Sequence, residues 1–294
     1  MKTRGRLLAA IAVFFWGAAY VWGKLAMDWL SPFAASTARF GFAAFIMLII
    51  TVFINKPSRS LFKGHWLHYF LLGFIGITCF QGFLFLGVYY SSPVSAAVIM
   101  ALSPALTAIL EGLITRQMPP AATIFGIVIS IIGAVIAILG ASPQGLSHFH
   151  LNGGDLFALI ASLCFSFYTV ASRRWLIKQV SLLVNVTLIV TIGAIFLLPL
   201  GLSFLPDSFP PSMTPVWALV GLILGSTVSA YLCWTLAIDQ LGVSEPNLMF
   251  NFMPIVTIGL YSLQGNLPTL LQLTGAFLVV AGVSWAMLPN KKSS

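Results

Sequence analysis

Ten apolar stretches, each close to the length that crosses a bilayer, fill this sequence almost from end to end. They cover residues 7–27, 33–54, 66–89, 94–115, 121–140, 155–172, 182–201, 215–238, 244–263 and 269–288. A membrane-spanning helix needs about 20 such residues. A chain crossing hydrocarbon must satisfy its backbone hydrogen bonds internally, and runs of this kind do so as helices. Charge is too scarce for any other reading. Only 7% of the residues are Asp, Glu, Lys or Arg, against about 25% in a soluble domain. The sequence therefore predicts an all-α, polytopic membrane protein with no soluble effector domain between its spans.

The stretches repeat. Residues 94–140 form an apolar hairpin with Pro104 near the middle of its first arm, and residues 244–289 repeat the pattern around Pro254. Gly126 and Gly133 correspond to Gly275 and Gly282. Residues 5–24 align without gaps to 154–173, and 83–90 to 233–240. Repeats of this kind reveal duplicated architecture. The division falls into 1–142 and 143–294, with five spans in each half. Five is odd, so the halves enter the membrane in opposite directions, giving ten transmembrane helices as two inverted five-helix repeats. Transporters built this way hold substrate near the midplane, between the repeats.

Basic residues set the orientation. With the N-terminus in the cytoplasm, inner segments hold Lys2, Arg4, Arg6, Lys56, Arg59, Lys63, Arg116, Arg173, Arg174, Lys178, Lys291 and Lys292. The outer connections hold no lysine or arginine. This is the positive-inside pattern, with both termini cytoplasmic. The net charge of +8 is thus a topology signal and not a nucleic-acid footprint. The basic and apolar N-terminus has the look of a signal peptide, but its removal would destroy the repeat, so it reads as an uncleaved first span. Cys79, Cys164 and Cys233 lie in apolar runs without metal-ligand spacing and read as packing residues.

These features together resemble the EamA-like family of the drug/metabolite transporter superfamily. The carriers are Trp16-Gly17, Arg39, Pro104, Pro254 and the duplicated glycines, in order and over essentially the whole chain. The resemblance implies a secondary transporter of the bacterial inner membrane that exports amino acids or related small metabolites. It also implies a central cavity walled by spans 1, 3, 4, 6, 8 and 9.

Candidate substrate-binding residues follow from residue type and helical spacing. Arg39 is a charge inside the second span. It contacts substrate, or it snorkels outward or pairs with Asp28 or Asp155 to brace the bundle. Trp16 and Tyr20 share a face of the first span with Lys24, and Tyr168 shares one of the sixth with Phe165 and Ser172. Thr227, Tyr231 and Trp234 share a face of the eighth span, and Gln81 is the repeat counterpart of Tyr231. Pro104 and Pro254 interrupt helices and free backbone carbonyls. Asn247, Asn251 and Pro254 stand on one face, which makes the second copy the more polar side of the expected cavity. Each of these residues has a plainer alternative in packing, interhelical hydrogen bonding or interfacial anchoring.

Gly126, Gly133 and Gly140 read as close-packing sites within the bundle, with a homo-oligomer face as the alternative. Glu111 lies about one turn from the inner end of its span, next to Arg116 and nearby lysines. The expected partners are a small-molecule substrate and the lipid bilayer. No metal, cofactor or catalytic group is predicted, and no nucleophile, base or phosphate-binding motif marks an enzyme. Efflux of hydrophobic cations is the rival transport reading. It needs a membrane-embedded carboxylate, and none falls at midplane.

Overall fold

The computed structural model describes residues 2–54, 62–116, 121–141, 152–242, 246 and 249–286. Among these residues all regular structure is helical, without strands. Eight helices are long and apolar enough to cross a membrane. They are α1 (Lys2–Ala26), α2 (Pro32–Ile54), α3 (Trp66–Tyr90), α4 (Pro93–Thr115), α5 (Ala121–Ala141), α6 (Gly153–Trp175), α7 (Leu182–Leu202) and α8 (Met213–Leu241). Two shorter apolar helices follow, α9 (Met253–Ser262) and α10 (Leu270–Ala286). Large apolar side chains such as Phe45, Phe53, Leu67, Phe125 and Phe277 are exposed on the outside of the bundle. In water such a surface would aggregate; in lipid it is solvated.

Helix starts follow local chemistry. Ser31 caps α2 by accepting from the Ala34 backbone N–H at 3.1 Å, with Pro32 in the first turn. Ser92 and Pro93 repeat the device on α4, and Asn152 caps α6 through the Asp155 N–H at 2.8 Å. Three helices are irregular in their interiors. α3 widens into a π-turn over Phe74–Cys79, and α8 does so over Gly221–Ser229. α4 breaks at Ala101–Leu102, immediately before Ser103-Pro104. The chain also breaks at Asn251–Phe252, immediately before Met253-Pro254. The proline ring clashes with the carbonyl four residues back and lacks an N–H of its own. The fourth span is therefore two helical pieces rather than one.

The packing partners come in matched pairs. α5 lies along α10, α2 along α7, α1 beside α8 and α9, and α6 beside α3 and α4. In the α5–α10 seam a Cβ on Gly133 would lie 2.7 Å from the Gly275 carbonyl oxygen, so only glycine permits this approach. Lipid gives helices no hydrophobic reason to associate, so polar ties matter. Thr51 and Thr187 hydroxyls meet at 2.9 Å between α2 and α7. The Tyr69 hydroxyl donates to the Asn185 side-chain carbonyl, whose amide in turn donates to the Ile177 and Val180 carbonyls. The three cysteines are free and partly buried.

Candidate functional site

A cavity of about 540 Å³ lies among α1, α2, α3, α4, α6 and α8. Its volume falls in the range of small-molecule sites, about 300–1,000 Å³. At one end it reaches Glu111 and Arg173, whose side chains are about half exposed. At the other it stops beneath a set of polar ties. The Lys24 ammonium donates to the Tyr89 carbonyl at 3.0 Å, capping the end of α3. Ser91 donates to the Asp155 carboxylate at 2.7 Å, Trp29 to the Ser208 carbonyl at 2.9 Å and Ser31 to the Phe204 carbonyl at 2.9 Å. Lys24 shares a helical face with Trp16 and Tyr20, but its head points away from the cavity.

One wall is aromatic. The Trp16 ring lies 4.9 Å from Trp234, 5.6 Å from Phe250 and 5.7 Å from Tyr231, centroid to centroid. Phe250 is nearly parallel to Phe165 at 5.8 Å, and Phe165 continues to Phe80 and Tyr168. Tyr168 enters the cavity over Gly76, where a Cβ would overlap its ring. The wall draws on α1, α3, α6, α8 and the residues just before α9.

The facing side holds Arg39, which is 4% exposed. Its Nε donates to the Thr227 hydroxyl at 2.9 Å and its Nη2 to the Ser226 carbonyl at 3.4 Å. Both acceptors belong to the π-turn of α8. A π-turn shifts the hydrogen-bond ladder, and the Thr227 hydroxyl itself donates five residues back, to the Leu222 carbonyl at 3.0 Å. The guanidinium carbon also lies 4.9 Å from the Phe40 ring centroid and 5.9 Å from that of Phe85. Tyr20 and Tyr231 stand within electrostatic reach. Among the described residues no carboxylate forms an ion pair with Arg39. The expected brace to Asp28 or Asp155 is not present: Asp155 is occupied at the closed end by Ser91 and the α6 cap.

Gln81 is 1% exposed and lines the same cavity, and its Nε2 has no hydrogen-bond partner. It lies one turn before Phe85, which carries one of the two ring faces near Arg39. Ser103 and Thr107 add hydroxyls from α4. Ser103 donates to the Met100 carbonyl at 2.5 Å, the carbonyl that Pro104 leaves free, and meets the Ser162 hydroxyl at 2.9 Å. At the open end Arg173 pairs with Glu111 at 3.1 Å. The expected pairing of Glu111 with Arg116 does not form. Arg116 leaves α4 in a left-handed conformation (φ 55°), while Arg173 projects from the last turn of neighbouring α6.

Trp16, Tyr20, Arg39, Gln81, Pro104, Tyr168, Tyr231 and Trp234 thus line one cavity. Asn251 and Pro254 are buried but lie outside its lining. Pro254 shares a face with Ile258 and Tyr261, which pack on the Val94, Val98 and Leu102 cluster. Thr257 donates to the Gly17 carbonyl at 2.9 Å, which fixes how α9 is turned. Asn247 lies outside the described residues. Among the described residues the ninth span contributes Phe250 and Met253 to the lining rather than Asn251, and hydroxyls come from Ser103 and Thr107 of α4, Thr169 and Ser172 of α6 and Thr235 of α8. The spacing arguments passed over Phe80, Phe85, Phe250, Ser103 and Thr107. Of these only Ser103 carried a signal, its place directly before a mid-span proline.

A family model described as the EamA-like transporter family matches residues 3–139 and again residues 152–288. An uncharacterized transporter of Bacillus subtilis, YyaM, is 33% identical over 271 residues, covering 92% of this chain and 88% of that protein. An uncharacterized transporter of Archaeoglobus fulgidus is 26% identical, covering 94% and 96%. A solved crystal structure aligns over 97% of both chains with a TM-score of 0.70; at 20% identity the likeness is one of fold.

Proposed function

The chain belongs to the EamA-like transporter family, and from that premise we propose that it is a secondary transporter that exports amino acids or related small metabolites across the bacterial inner membrane. It works by alternating access between two inverted repeats, 1–142 and 143–294, with both termini in the cytoplasm. The observation that carries the reading is the cavity itself. It is enclosed by helices from both halves, lined by aromatic rings, and holds one buried guanidinium with no carboxylate partner among the described residues.

Several features support the inverted-repeat plan. The π-turns of α3 and α8, and the breaks before Pro104 and Pro254, fall at corresponding places in the two halves. Exchanging the halves also exchanges packing partners: α1 on α8 becomes α6 on α3, and α1 on α9 becomes α6 on α4. Aromatic rings suit a solute with an apolar body, and the buried charge orients a polar end. Cation efflux is disfavoured because, among the described residues, the deep cavity holds Arg39 and no carboxylate, while Glu111 at the mouth is paired.

The test is counterflow. Purified protein in liposomes preloaded with unlabelled solute is offered labelled amino acids, amines, nucleosides and sugars. Accumulation of labelled amino acids or close relatives above empty liposomes is expected. Equal signals with and without protein would overturn the transporter reading.

A further inference from the structure

We propose that the cavity recognises its substrate by a carboxylate, held between Arg39 and Gln81, and that it does not require an ammonium group. The proposal rests on the transport reading above and names the chemical class: small monocarboxylates with an apolar or aromatic body.

Two observations point to this independently. Arg39 has five N–H donors. One is taken by the Thr227 hydroxyl and one by the Ser226 carbonyl. Both bonds lie on the Nε/Nη2 side, which anchors the guanidinium plane and leaves the Nη1 edge of the fork for a ligand. A guanidinium fork matches a carboxylate in planarity and spacing. The charge is buried without a counter-ion among the described residues, a costly state that an incoming anion relieves. The second observation is Gln81. Its amide nitrogen is buried, donates to nothing and lines the same cavity. A buried donor left unpaired costs about 1–3 kcal/mol. Both groups ask for a hydrogen-bond acceptor, and the guanidinium asks that it carry negative charge.

The count of charges narrows the class. A single guanidinium in the deep cavity balances a monoanion. A phosphate dianion would leave one charge uncompensated, and a zwitterion's ammonium would find no carboxylate there among the described residues. The aromatic wall of Trp16, Trp234, Phe250 and Phe165 supplies an apolar surface for the remainder of the molecule.

Direct binding tests this separately from transport. Trp16 and Trp234 stand in the wall, so quenching of tryptophan fluorescence in detergent-solubilised protein reports occupancy. The probes are 3-phenylpropionate, phenylalanine, phenethylamine and phenyl phosphate. The carboxylates are expected to bind, with 3-phenylpropionate at least as tight as phenylalanine, and phenethylamine and phenyl phosphate at least tenfold weaker. Gln81→Leu keeps the volume, removes the donor, and should weaken 3-phenylpropionate about tenfold. Gln81→Glu places a charge beside Arg39 and should weaken it further while improving phenethylamine. Equal binding of phenethylamine and 3-phenylpropionate, or tighter binding of phenyl phosphate, would sink the carboxylate assignment even if liposomes show transport. Binding of no carboxylate would do the same. Intact carboxylate affinity in Gln81→Leu, with a normal elution profile, would remove Gln81 from the site. Conversely, carboxylate binding without exchange in liposomes would leave this inference standing and defeat the transport reading.

Discussion

Arg39 is stable in its position because another helix gives up backbone regularity to hold it. Moving a guanidinium out of water costs several kcal/mol, and only well-placed acceptors recover that cost. Thr227 supplies one at 2.9 Å, and its own hydroxyl proton is turned away toward the Leu222 carbonyl, which leaves a lone pair for Arg39 Nε. Thr227→Val keeps the shape and removes the acceptor. Hydrogen bonds to charged groups contribute about 1.5–3 kcal/mol, so this variant is expected to unfold at visibly lower temperature in detergent. Thr227→Ser retains the hydroxyl and should return most of the loss. A Val variant as stable as the parent would show that the Ser226 carbonyl and the rings of Phe40 and Phe85 suffice. The sequence marks Thr227 as sharing a face with Tyr231 and Trp234, but it gives no sign of the Ser226 carbonyl. A backbone acceptor exposed by a π-turn has no side-chain signature, which is why the expected partners were Asp28 and Asp155.

At the scale of elements, the two proline breaks show what duplication keeps and what it lets go. Both precede a proline by the same interval, yet they are finished differently. In the first copy Ser103 returns a hydrogen bond to the Met100 carbonyl and links α4 to α6 through Ser162. Ser166 adds a bond from α6 to the Ser103 carbonyl at 3.0 Å. In the second copy the corresponding residue is Met253, which has no proton to donate. Ser103→Ala is therefore expected to destabilise the protein by about 1–3 kcal/mol, the cost of a buried carbonyl left short of a donor. Thermal unfolding checks it, and an unchanged midpoint would mean that water or Ser162 takes over the bond. The breaks themselves were legible, since a mid-span proline has a fixed backbone consequence. The lining was only half legible. Helical spacing puts Trp16 and Tyr20 on one face of α1 and Tyr231 and Trp234 on one face of α8, and large aromatics on buried faces of two helices must find each other. It cannot tell a cavity face from a helix–helix seam, and so Asn251 and Pro254 were expected where Phe250 and Met253 stand. The length and apolarity of the helices were the most legible feature of all, being fixed by the solvent rather than by any partner.

At the scale of the whole molecule, the two ends of the cavity are held by forces of different size. One end is closed by Lys24 on the end of α3, by Ser91 on Asp155, and by Trp29 and Ser31 on the connection after α7. Several of these ties join one half of the chain to the other. The opposite end has Arg173 and Glu111, a pair about half exposed. Exposed ion pairs contribute about 0–1 kcal/mol, too little to seal a cavity. In this structure the cavity thus opens toward Glu111 and Arg173, the end that the proposed orientation puts at the cytoplasmic side. A single cysteine at Thr107, in a background with Cys79, Cys164 and Cys233 replaced by serine, reads this directly, because Thr107 lines the cavity short of that mouth. A membrane-impermeant maleimide should label Thr107→Cys in inside-out vesicles and leave it unlabelled in intact spheroplasts. Adding Lys24→Ala and Asp155→Ala removes the two side-chain ties that join the end of α3 to α1 and α6. If alternating access is set by the balance between the ends, labelling from the outer side should then appear and inner labelling fall. Label reaching Thr107→Cys only from outside in the parent would reverse the orientation. Outer labelling unchanged by the double substitution would show that the apolar packing of α1, α3 and α6, not these polar ties, keeps that end shut.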